Sequence, residues 1–178
     1  MSDCCKGQAA GEPAKRPGGA FELIDHYGHA VSDRSYRGQF MLLFFGFTHC
    51  RAVCPAALAR LSAVIGRLGS LASRLRPLYV TVDPERDTPE VMKTFLERSY
   101  PHFTGLTGSR ENIDHIKSLY KVFAMRAADP DDATGYQMPH TAFTYLVGPD
   151  GRYVAHFTDA VGEDELVARI GSDLGSGA

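Results

Sequence analysis

The chain has 178 residues, 44% of them apolar, enough for one domain with a buried core. Its 19 basic and 21 acidic residues leave a formal net charge of −2 with no block of like charge, which argues against nucleic acid as a partner. No stretch of about 20 apolar residues could span a membrane, and the opening MSDCCKGQAAGEPAKRPGGA holds no apolar signal core.

Residues 1–20 read as a disordered Gly/Ala/Pro/Lys-rich leader, with Cys4 and Cys5 as an incidental exposed thiol pair. A single domain is expected over 21–174, without internal repeats. FELID is a short alternating strand, and DHYGHAV turns at Gly28 into a second strand near Val31. FMLLFFGF (40–47) is a continuous apolar run, as a central strand buried on both faces should be. Leu58, Leu61, Val64, Ile65 and Leu68 then recur at helical spacing. RPLYVTV (76–82) is a strand by composition. DTPEVMKTFLERSY reads as a helix with Pro89 in its first turn and a cap at Asp87 or Thr88. FTGLTG is a short strand, and SRENIDHIKSLYKVF a helix opened by Ser109. AADPDDATGYQMPH (127–140) is a polar loop or hairpin. TAFTYLVGPDGRYVAHF is two strands joined at Pro149-Asp150-Gly151, and GEDELVARIGSDL is a closing helix. Strands alternating with helices and ending in an antiparallel hairpin predict a mixed three-layer α/β sandwich.

Cys50 and Cys54 stand where the central strand passes into the first long helix, with Pro55 suited to that helix's first turn. Unpaired N–H groups and the helix dipole there favour thiolate, which is both a redox nucleophile and a soft metal ligand. Three intervening residues place the sulfurs about one helical turn apart on one face. That spacing permits a disulfide and also permits both sulfurs to meet one ion, and CxxxC alone does not decide between them.

A metal reading needs a third donor, and the chain has seven histidines. His26, His29, His102, His115 and His156 read as solvated structural residues, and His49 adjoins Cys50 with a backbone direction that can aim it away. His140, in MPHTAFTYLV, sits at a loop-to-strand junction that faces the dithiol in thioredoxin-like folds, a position often held by cis-proline. An imidazole there would make an S₂N set suited to copper. The alternative is a hydrogen-bonded structural histidine.

FELIDHYGHAVSDRSYRGQFMLLFFGFTHCRAVCPAAL, YVTVDPERDTPEVMKTFL, FTGLTGS and HTAFTYLVGPDGRYVAHF together resemble the Sco/SenC family of thioredoxin-fold copper proteins. The resemblance covers Phe21 to about Ile170. It implies a thioredoxin-like sandwich and copper held at Cys50, Cys54 and His140. It also implies service to the binuclear copper site of a haem–copper cytochrome c oxidase, by inserting copper or by keeping the oxidase cysteines reduced. The implied partners are the oxidase's copper-site subunit, other copper chaperones and thioredoxin-like reductants. The implied location is the periplasmic side of the inner membrane, on a tether expected to have been trimmed from this sequence. Arg51-Ala52 and Met138-Pro139 replace residues that often include a carboxylate, so the pocket is less anionic than is usual in the family.

Two functions follow, a copper metallochaperone and a thiol–disulfide reductase in which Cys50 attacks and Cys54 resolves. They are compatible, since forming the disulfide removes both sulfur ligands. A thiol peroxidase fits poorly, because it needs a single tuned thiolate. Asp83, in TVDPERDTP, is read as lying near the site to orient His140 or a water, with turn capping left to Asp87. Met125 and Met138 are read as filling space.

Overall fold

The computed structural model describes residues 16–176, apart from the side chains of 132–134, so Cys4 and Cys5 lie outside the described residues. Strand β3 (Phe40–Gly46) is buried at every position and lies at the heart of a seven-stranded sheet. It pairs in parallel with β4 (Leu75–Thr81), which pairs in parallel with β5 (Thr104–Thr107). Beyond β5 lie β1 (Glu22–Asp25) and β2 (Ala30–Ser32), both antiparallel. On the other flank β3 meets β8 (Thr144–Val147) and then β9 (Tyr153–Phe157), again antiparallel. The order β2-β1-β5-β4-β3-β8-β9 makes the sheet mixed.

Helices α1 (Val53–Arg67) and α2 (Pro89–Ser99) cross from β3 to β4 and from β4 to β5 in the same direction, so right-handed crossovers put both on one face. Tyr79 on that face stacks between Phe44 and Phe95 of α2, with ring centroids 6.1 and 6.0 Å away. Helix α4 (Glu163–Ser176) packs beside α1. Helix α3 (Arg110–Tyr120) covers the opposite face, where Tyr120 meets Phe45 and Tyr145. The result is the expected three-layer, thioredoxin-like sandwich.

Local chemistry explains the boundaries. Thr88 and Ser109 cap α2 and α3 by accepting the N–H groups of Val91 and Asn112. The cap of α2 is therefore Thr88, and Asp87 is released for another task. The 127–140 stretch resolves as a hairpin, β6 (Ala127–Asp129) with β7 (Asp132–Gln137), forming its own two-stranded sheet. Gly151, at φ +76, makes the turn between β8 and β9. His26, expected to be solvated, is only 4% exposed, because its Nδ1 accepts the Gly105 N–H at the β1–β5 seam.

Candidate functional site

Cys50 and Cys54 lie where the sequence places them, on the loop leaving β3 and in the first turn of α1. Both are free thiols; Cys54 is fully buried and Cys50 partly so. The helix has no side-chain cap, its preceding residue being Ala52, and its first turn carries no acid. The Cys50 sulfur takes that place, accepting the Cys54 N–H at 3.4 Å. Hydrogen bonding from the Cys54 thiol, with N–H groups of Cys54, Ala52 and Val53, outweighs burial and holds the Cys50 thiol at about 5 against an ordinary 9.0. Cys54 moves the other way, because its hydrogen bond to Cys50 and its burial both favour the protonated form. The pair thus holds one negative charge on the outer sulfur and one proton on the inner.

The loop carrying Cys50 is held from below by Asp87, which is fully buried. Its carboxylate accepts the Thr48 N–H at 3.0 Å, the Thr48 hydroxyl at 2.6 Å and the Thr81 hydroxyl at 2.7 Å. Burial raises its pKa, against the lowering effect of those bonds. From the side, Arg51 reaches across to Asp129 of the hairpin with contacts of 2.7 and 2.8 Å. Asp129 also accepts from Gln137 at 2.6 Å, so the hairpin and the thiol loop are tied at one carboxylate.

His140 stands over the carboxyl end of β3. Its Nδ1 is 2.7 Å from the Met138 carbonyl, its Nε2 3.0 Å from the Phe45 carbonyl, and its ring meets Phe47 edge-on. Among the described residues no three His, Cys, Asp or Glu side chains are gathered as a ready metal cluster. The structure therefore brings the two cysteines together and leaves His140 bonded to backbone at the neighbouring strand end. No peptide bond among the described residues is cis, including the one at Pro139. Asp83 does not reach His140: its carboxylate is bonded to Arg86 and, at 2.8 Å, to the Tyr136 hydroxyl. It braces the hairpin, and its expected role in orienting the imidazole is replaced by that one. His49 points at Asp87, 3.9 Å away, and Met138 packs against the core.

A family model described as SCO1/SenC matches residues 9–174. The chain belongs to the SCO1/SenC family. It is 36% identical over 159 residues to the human protein named SCO1 homolog, mitochondrial, covering 88% of this chain and 52% of that one. It thus spans about half the length of that relative. Among solved structures, Bradyrhizobium japonicum ScoI with copper bound is 39% identical, with a TM-score of 0.79 and coverage of 91% and 99%. Arabidopsis thaliana ScoI with copper bound is 31% identical, with a TM-score of 0.83 and coverage of 89% and 98%. BsSco, at 28% identity, TM-score 0.70 and coverage of 93% and 95%, is described as a member of the Sco family of cytochrome c oxidase assembly proteins with a disulfide switch.

Three residues at this site carry no local signal of their role. In sequence Asp87 reads as a helix cap, Arg51 as the loss of a carboxylate, and Tyr79 as one strand residue among several in β4. Only the fold puts the Tyr79 hydroxyl beside the Cys54 sulfur, where a Cβ on Gly46 would lie 2.6 Å from the oxygen and 2.8 Å from the sulfur.

Proposed function

We propose that this chain is a copper-carrying assembly protein for the binuclear copper site of a haem–copper cytochrome c oxidase, holding Cu(I) or Cu(II) through Cys50, Cys54 and His140. The observation that carries the reading is the thiolate–thiol pair at the start of α1. Two soft sulfurs meeting at the start of one helix suit copper, and an imidazole from the facing strand end adds the nitrogen that Cu(II) prefers. Copper is the cargo. His140 joins the sulfurs only by giving up at least one of its carbonyl partners, so Cu(II) capture includes a local rearrangement at Met138–His140. The copper-bound family structures and the description of BsSco support the same reading. The matching partner is the oxidase's copper-site subunit, on the periplasmic side of the inner membrane.

A second reading rests on the asymmetry of the pair. The Cys50 thiolate attacks a partner disulfide, forming a mixed disulfide and releasing one partner thiolate. Cys54, giving up its proton, then attacks the Cys50 sulfur, so the protein leaves as the disulfide and the partner as the dithiol.

Copper titration of reduced protein, followed by absorption and electron paramagnetic resonance, tests the first reading. About one copper per chain is expected. Oxidation of Cys50 to Cys54 should abolish binding, and His140→Ala should weaken Cu(II) far more than Cu(I). If His140→Ala binds Cu(II) as tightly as the parent with an unaltered spectrum, His140 is no ligand and the reductase becomes the better reading.

A further inference from the structure

Tyr79 is fully buried and its hydroxyl finds no nitrogen or oxygen partner among the described residues. A phenylalanine would fill the same space between Phe44 and Phe95 without the cost of burying a hydroxyl that has only a sulfur beside it. The polar atom beside that hydroxyl is the Cys54 sulfur, and the chain carries glycine at position 46, the one side chain that leaves room for both. We infer that Tyr79 is a positioning residue whose hydroxyl donates to the Cys54 sulfur in the reduced pair and loses that acceptor when the disulfide forms. While Cys54 is a thiol giving its own proton to Cys50, the hydroxyl donates to the same sulfur and supports the reduced pair through that chain. The bond strengthens when Cys54 gives up its proton, as a metal ligand or as the resolving nucleophile, because hydrogen bonds to anions are the strong ones. In the disulfide the same sulfur is a poor acceptor, so the hydroxyl favours the reduced pair over the oxidised one.

This rests on Cys54 being a working sulfur of the proposed site, and the test separates the two claims. Full-length parent and Tyr79→Phe, both with Cys4→Ser and Cys5→Ser, are equilibrated metal-free in glutathione buffers. Two glutathione thiols supply two electrons to the Cys50–Cys54 bond and leave as glutathione disulfide, their protons passing to the protein sulfurs or to solvent. Tyr79→Phe should shift this equilibrium roughly tenfold toward the protein disulfide, about 30 mV for a two-electron couple. In the Cu(II)-loaded protein the thiolate absorption should move to longer wavelength, since an undonated sulfur is the better electron donor. Tyr79→3-fluorotyrosine, a stronger donor in the same ring, should move the equilibrium the opposite way, and it decides the matter should Tyr79→Phe fail to fold. An unchanged glutathione equilibrium in a folded variant overturns the inference, whether or not copper binds. Failure of the parent to bind copper refutes the proposed function and leaves the glutathione result to decide on Tyr79.

Discussion

Replacing Cys50 with alanine tests whether a thiolate caps α1. The helix start has Ala52 where a capping side chain would stand, and the Cys50 sulfur is the acceptor for its first N–H groups. Losing a side-chain cap costs about 1 kcal/mol. The charge on sulfur would add to this, but Cys50 is partly exposed and water screens it, so about 1 kcal/mol stands as the expectation for Cys50→Ala at neutral pH. For a domain of this size that lowers Tm by about 2–4 °C. The pH dependence has a definite sign. The folded-state pKa is about 5 and the ordinary value 9.0, so the folded protein binds fewer protons between them. The stabilisation is complete above 9.0 and is lost as pH falls toward about 5. Urea unfolding under reducing conditions, in the Cys4→Ser, Cys5→Ser background, should show the parent's advantage over Cys50→Ala growing across that window. Cys50→Ser, which keeps a short neutral acceptor, should fall between them and show no such slope. A parent advantage that is flat or shrinks with rising pH refutes the thiolate cap.

Asp87→Ala should cost about 3 kcal/mol, since three donors on Thr48 and Thr81 lose a buried acceptor, part of the loss being offset by removing a buried charge; hydrogen exchange at Thr48 should quicken by a comparable factor. Arg51→Ala removes an exposed clamp and should change global stability by less than about 1 kcal/mol, yet raise hydrogen exchange through Ala127–Asp129, because Asp129 loses its tie to the thiol loop. His26 should titrate by NMR below its ordinary 6.5, since burial disfavours its charged form against the raising effect of Asp25. Its contribution to stability is present above 6.5 and is lost as pH falls from there toward the lowered folded value, so unchanged stability across that range would count against it.

The element order and the face of α1 were legible because they follow from local rules. A short apolar run bounded by Gly38 and Thr48 fits a doubly covered strand, and Leu58, Leu61, Val64 and Ile65 repeat at the helical period. The position of the cysteines at a strand-to-helix turn follows from the same reading, which expects thiolate at both sulfurs; the structure gives it to Cys50 and keeps the buried Cys54 protonated. What the chain does with its polar residues was not legible, because it depends on contacts between segments far apart in sequence. Asp87 could cap its own helix or reach Thr48, 39 residues earlier, and only the packing of β3 against β4 settles that choice. Asp83 could face His140 or the hairpin, and the hairpin supplies the Tyr136 hydroxyl while Arg86, three residues on, holds the same carboxylate. His26 looked like a turn residue until the β1–β5 pairing closed over it. Hydrophobic periodicity is written along one segment, so sequence alone determined the layers and the thiol turn. Hydrogen-bond partnership is a property of pairs, so only the tertiary structure decided which residues hold the loop that presents the sulfurs.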